Sequence, residues 1–172
     1  MSVMVQQAPI SGVSPTNEAV VATVYPSMAA MGIGKKLGEL YESIPTRFWG
    51  MKISNLIFCP LLIPVALLLY FWMKVFGVRY TLTNRGIQTW KGLGNVKLSE
   101  VALNDIASVE VYQAPGDLFY DAGDLYLIGK GGEHLEILRG ILSPQIFKGT
   151  IDEMRDARSL VQSSLERIKQ RG

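Results

Sequence analysis

Three hydrophobic periodicities follow one another along the chain, and each implies a different element. From Ile53 to Met73 (ISNLIFCPLLIPVALLLYFWM) no residue carries a charge. At about 1.5 Å per residue a helix of that length spans roughly 30 Å, the thickness of a bilayer's hydrocarbon core. Arg47, Phe48, Trp49 and Lys52 precede the run, and Tyr70, Phe71, Trp72 and Lys74 close it. Aromatic and cationic flanks of this kind settle at headgroup depth, so Arg47, Trp49, Lys52, Tyr70, Trp72 and Lys74 are the candidate membrane-interface residues. Pro60 and Pro64 remove backbone donors in mid-run and leave a transmembrane span, a re-entrant segment and a buried helix as open outcomes.

Past Gly77 the period falls to two. Val78 to Thr83, Ile87 to Lys91, Val96 to Val101, Ile106 to Gln113, Asp124 to Ile128 and Glu133 to Arg139 are rich in β-branched and aromatic residues. Between them stand Asn84-Arg85-Gly86, Gly92 to Asn95, Asn104-Asp105, a longer loop from Ala114 to Gly123, and Gly129 to Gly132. Short strands at this spacing predict a bent antiparallel sheet or small barrel. The helical period then returns, with Phe147, Ile151, Met154, Val161, Leu165 and Ile168 on one face and Ser143-Pro144 as a start signal. This C-terminal helix is expected to cap the sheet.

Ahead of the uncharged run, Ile33, Leu37, Leu40, Tyr41 and Ile44 recur at helical spacing opposite Lys35, Lys36, Glu39 and Glu42. The segment is expected to lie on the membrane or to pack on the domain. Gly32, Gly34 and Gly38 weaken it in isolation, so another surface must stabilise it. Residues 1–26 carry three prolines among scattered polar residues and no positively charged leader, which predicts a disordered or loosely attached arm and no secretory signal. The expected division is therefore an arm at 1–26, an amphipathic interfacial helix at 27–46, a transmembrane or re-entrant segment at 47–76 and an α+β, mainly β, domain at 77–172.

Composition narrows the chemistry. The net charge is +2, and beyond Lys74 cations and anions nearly balance, without the one-sided basic surface that nucleic acid requires. Cys59 is the only cysteine, which excludes an internal disulfide and a cysteine-based zinc site. Gly32-Ile33-Gly34-Lys35-Lys36 has Ala29 and Lys36 where a phosphate loop needs glycine and a hydroxyl, and no strand precedes it as a dinucleotide fold demands. His134 lies beside Glu133 and Glu136, and alternation puts Glu136 on its face, yet two such groups more often form a solvated strand. Asp117, Asp121 and Asp124 are spaced for turns rather than for a calcium loop. No cofactor, metal site or catalytic residue is expected.

The uncharged run, then Tyr80-Thr81-Leu82-Thr83-Asn84-Arg85-Gly86-Ile87, then the Gly123-Asp124-Leu125-Tyr126-Leu127 strand and a terminal helix together resemble the bacterial pleckstrin-homology-like membrane proteins. The resemblance covers residues 53 to about 170. It implies a seven-stranded bent sheet capped by one helix and attached to the membrane, although many such proteins have two spanning helices before the domain. It implies no catalytic residues. The leading expectation is a membrane-anchored interaction or scaffold module, an accessory subunit of a larger complex, with membrane lipid and other membrane protein subunits as partners. Its place would be the inner (cytoplasmic) membrane, with the C-terminal domain in the cytoplasm. Arg85, Trp90, Lys91, Phe119 and Tyr120 are the candidate partner or lipid contacts. A lipid-headgroup module is the first alternative. A membrane enzyme acting on lipid through Asp117, Asp121 and His134 is the second.

Overall fold

The computed structural model describes residues 18–44, 47–48 and 51–169. It is an α+β fold built on two antiparallel sheets. The first is ordered β1 (Val20–Val24), β4 (Val78–Thr83), β5 (Gly86–Lys91), β6 (Lys97–Ala102), and the second β7 (Ile106–Tyr112), β8 (Ala122–Gly129), β9 (His134–Leu142). A minimal hairpin, β2 (Arg47–Phe48) with β3 (Met51–Lys52), leads into α2 (Ile53–Phe76). The remaining helices are α1 (Gly32–Glu42), the four-residue α3 (Pro115–Leu118) and α4 (Pro144–Lys169).

Alternation decides which side chains enter the core, except in β9, where a register shift beside Gly140 (φ 64°) turns both Leu138 and Ile141 inward. Tyr80 and Leu82 of β4, Ile87 of β5, Leu125 and Leu127 of β8, and Leu138 and Ile141 of β9 meet between the sheets. Phe147, Ile151 and Met154 of α4 close that space, as the helical period predicts. Val161, counted with them in the sequence pattern, is only half-buried, and the side chains at 165 and 168 lie outside the described residues. Ser143 adopts φ 45° and donates its hydroxyl to Asp121 Oδ2 at 2.7 Å, so its side chain ties the end of β9 to the turn before β8 rather than capping α4.

Upstream of the domain the structure departs from the expected division. The arm is part of the fold from Val20 onward, because β1 pairs with β4 as the sheet's fourth strand, Ala22 opposite Leu82 and Val24 opposite Tyr80. Its β-branched sequence VVATV suits a pleated, half-buried position. Residues 1–17 lie outside the described residues. In α1 the buried face is Gly34, Leu37, Gly38 and Tyr41, while Ile33 and Leu40 are exposed. The helix packs on α2 and on α3, the latter a loop segment left without structure in the sequence pattern. A Cβ at Gly38 would lie 2.1 Å from Gly116 O, and one at Gly116 would lie 2.1 Å from Lys35 O. The glycines that weaken α1 alone thus allow two backbones to touch.

α2 is one unbroken helix with Pro60 and Pro64 inside it, not a hairpin. Among the described residues no helix is long and apolar enough to cross a membrane. The side chains at 54–56, 59 and 61 are not described, and the longest described run in α2, 62–76, is shorter than a bilayer core needs.

Candidate functional site

The end of α2 and the domain are fastened at one point. Gly77 N–H donates to Met73 O at 2.8 Å, and Gly92 N–H donates to Gly77 O at 2.7 Å. A Cβ at Gly92 would lie 3.0 Å from Gly77 O and 3.2 Å from Lys74 O, so glycine is what allows the β5–β6 turn to rest on the last turn of α2. That turn and the start of β6 carry Leu93, Val96 and Leu98, all exposed. β4 leaves the helix end and β5 returns to it, pairing Val78 with Lys91 and Leu82 with Ile87.

This topology separates two of the candidate contacts. Trp90 and Lys91 lie at the α2 end, whereas Arg85 sits at the far turn, about 20 Å away at about 3.3 Å per residue. Trp90 points away from the core: it shares a face with Gln88, to whose Oε1 its indole donates at 3.2 Å, and the Arg79 guanidinium lies 5.7 Å from its ring.

The aromatic residues of the helix end make their own contacts. Lys74 Nζ stands 4.5 Å from the centre of the Tyr25 ring and 5.6 Å from that of Tyr70. Trp72 and Phe76 stack at 4.5 Å. At the other end of α2, Lys52 pairs with Glu42. The side chain of Arg47 and all of Trp49 lie outside the described residues. Two cavities flank the last turns of α2. One, of about 370 Å³, is lined by Tyr25, Met28, Tyr70, Lys74, Tyr120 and Leu142 among others. The other, of about 250 Å³, is lined by Met31, Trp72, Met73, Phe76, Tyr80 and Arg139 among others.

A second polar centre ties α1 to the domain. Lys35 Nζ lies 2.9 Å from Asp124 Oδ2 and 3.3 Å from Asp117 Oδ2. Asp117 also accepts from Ala114 N–H at 2.8 Å, and Asp124 from Gly140 N–H at 2.8 Å. Burial pulls the Lys35 ammonium down, but the hydrogen bond to Asp124 and the charges of both carboxylates outweigh it and hold the group above its usual 10.5. Phe119 packs 4.5 Å from Tyr41 and 4.9 Å from Tyr120. The Tyr120 hydroxyl is buried with no hydrogen-bond partner among the described residues, and that burial pushes it up to about 12. Phe119 and Tyr120 are therefore engaged in holding α1 to α3.

The candidate acid and histidine residues do not converge. Asp117 is covered by Lys35, Asp121 accepts from Ser143, and exposed His134 meets the edge of Tyr126 at 5.6 Å. His134 and Glu136 do not share a face either. A register shift between Leu127 and Ile128 breaks the alternation there and turns Glu136 inward, where its Oε1 accepts from Thr89 at 2.6 Å and Ser99 at 2.7 Å. Among the described residues no group of three or more histidine, cysteine or acidic side chains could hold a metal ion. Lys35, Tyr80 and Arg139 were absent from the sequence-derived candidates; strand alternation, with Leu138 inward and Arg139 outward, is the one local signal for the last. No family model matches the chain, and no curated protein matches it.

Proposed function

We propose that the chain is a membrane-anchored interaction and scaffold module of the pleckstrin-homology-like kind, an accessory subunit of a larger membrane protein complex with its domain on the cytoplasmic side. The observation that carries this reading is the surface of α2. Ile57, Ile63, Val65, Leu67, Leu68, Phe71 and Val75 are all exposed, over more than half of the helix circumference, while the face of Leu62, Ala66, Leu69 and Met73 is half-buried. A helix apolar on all sides belongs in a core or a bilayer, and this one contributes nothing to the core between the sheets. The exposed Leu93, Val96 and Leu98 beside its end extend the same apolar surface onto the domain. Antiparallel sheets with a terminal helix agree with the family part of the reading; six of their seven strands lie within the residues of the resemblance, and the seventh, β1, lies ahead of α2.

Extraction of membranes with alkaline carbonate tests the anchor: the full chain stays in the pellet, and release into the supernatant sinks the reading. Orientation is tested by Lys130→Cys in a Cys59→Ser background, since the β8–β9 turn is exposed. Reaction with an impermeant thiol reagent in intact cells would refute a cytoplasmic domain. A chain that leaves mild detergent as a monomer with no stoichiometric membrane protein would refute the accessory-subunit part.

A further inference from the structure

We infer that the cavity of about 250 Å³ beside the last turn of α2 binds the phosphate of a membrane phospholipid, with Arg139 as the cation and Tyr80 as a hydroxyl donor. The site rests on the membrane-anchored reading, which supplies the lipid. Charge complementarity gives the first argument. The cavity has no acidic residue in its lining, and the Arg139 side chain donates to none of the described residues. Arg79, Arg155 and Arg158, by contrast, are committed to Asn95, to Ala107 O, and to Asn104 with Asn84 O. A guanidinium is the side chain that best matches two oxygens of a phosphate.

Tyr80 gives the second argument. It is 4% exposed and lines the same cavity. Its hydroxyl accepts from Arg139 N–H at 3.1 Å but passes its own proton to none of the described residues. A phenol carries its proton at neutral pH, and burial pushes this one further above its usual value. Of the nearby carboxylates, Asp124 is engaged by Lys35 and Gly140 N–H, and Glu136 accepts from Thr89 and Ser99 through Oε1 alone, its buried Oε2 having no partner among the described residues; neither carboxylate accepts the Tyr80 proton. A buried donor left unused costs free energy that an incoming acceptor recovers.

The walls decide between a lipid and a free anion. Trp72, Met73 and Phe76 form one side, and the first and last of them are exposed on the outer surface of α2. Acyl chains bound along that helix would bring the phosphate to the level of Trp72, the depth at which tryptophan settles. A soluble phosphate would gain nothing from these walls.

The test uses the full chain in detergent micelles and native mass spectrometry, with dioctanoyl phosphatidylglycerol, dioctanoylglycerol and inorganic phosphate as probes. Phosphatidylglycerol is expected to bind one to one where the other two leave no adduct. Arg139→Ala weakens that binding roughly tenfold, Arg139→Lys falls between, and Tyr80→Phe weakens it a few-fold, the loss expected for charge-assisted and neutral hydrogen bonds. Lys130→Ala, in the distant β8–β9 turn, leaves it unchanged. Arg139 is exposed, so equal melting of Arg139→Ala and parent separates lost binding from lost folding. Undiminished binding by Arg139→Ala overturns the site. Equal binding of dioctanoylglycerol shows a merely apolar cavity, and equal binding of phosphate shows an aqueous anion site; both overturn it too. Carbonate extraction reports on the anchor separately, so a released chain with an Arg139-dependent adduct would sink the anchor and keep the site.

Discussion

α2 and α4 are nearly equal in length, 24 and 26 residues, and opposite in what they do. α4 turns Phe147, Ile151 and Met154 into the core and binds its rim through polar side chains, Arg155 to Ala107 O at 2.7 Å and Arg158 to Asn84 O at 2.8 Å. α2 is the more apolar helix, yet it leaves Leu68 72% exposed, half-buries only the face of Leu62, Ala66, Leu69 and Met73, and packs on α1 rather than on the core between the sheets. Apolar content therefore does not decide what is buried in this chain. A stripe commits α4 to the core, whereas α2 keeps apolar side chains exposed beyond its contact with α1, and the membrane-anchored proposal rests on that surface.

The largest effect that would sharpen this contrast is a pair of deletions. Removing 144–169 should abolish the cooperative melting transition. Replacing α2 by a glycine-serine linker of equal length should preserve it, and should yield a chain soluble without detergent. If the linker variant fails to fold, α2 belongs to the core after all. Next in size is the bare fragment 77–172, which lacks β1 and α1. It leaves β4 as an open edge and two buried carboxylates without their cation, so it should aggregate or melt far below the linker variant. Melting as sharp as the parent's would show that the N-terminal elements only decorate the sheet.

Single substitutions refine the picture. Ile151→Asp should cost several kcal/mol, comparable with the whole stability of such a domain, because the carboxylate would be buried unpaired against the sheets. Leu68→Asp should leave the melting temperature in detergent within a few degrees while reducing recovery in the membrane fraction. Equal destabilisation by the two would dissolve the contrast between the helices. Lys35→Ala should cost about 2 kcal/mol, less than the about 3–5 typical of a broken buried pair because the lysine is itself 24% exposed. Thermal melting of the linker variant reads this without interference from detergent.

The smallest effect is on pH dependence. Lys35 is held above its usual value, so its contribution is fully present below about pH 10.5 and is lost as pH rises through the folded value. Tyr120 keeps its proton in the fold up to about 12 but gives it up near 10 when unfolded, which also favours unfolding as pH rises past 10. The melting temperature should therefore fall between pH 10 and 11.5, and Tyr120→Phe should soften the fall. A flat profile would show that the α1–α3 contact carries no stability.

The sequence by itself determined the elements whose signal is local. Two-residue alternation marks β4 to β9, helical periodicity marks α4, and the uncharged run marks an apolar segment at α2, whose continuity through Pro60 and Pro64 only the structure decided. Each follows from how neighbouring residues share a face. It also determined that Trp90 stands on a strand beside a turn, but alternation alone could not choose its face. Only the tertiary structure decided that β1 joins the sheet, because VVATV is too short to fold without β4 to pair with. Only the tertiary structure brought Lys35 to Asp117 and Asp124, 82 and 89 residues away, through a backbone contact that Gly38 and Gly116 permit. Arg139 and Tyr80 likewise met Trp72 and Phe76 only in the folded chain. Contacts of that range depend on how strands and helices close on one another, and no window of neighbouring residues contains that information.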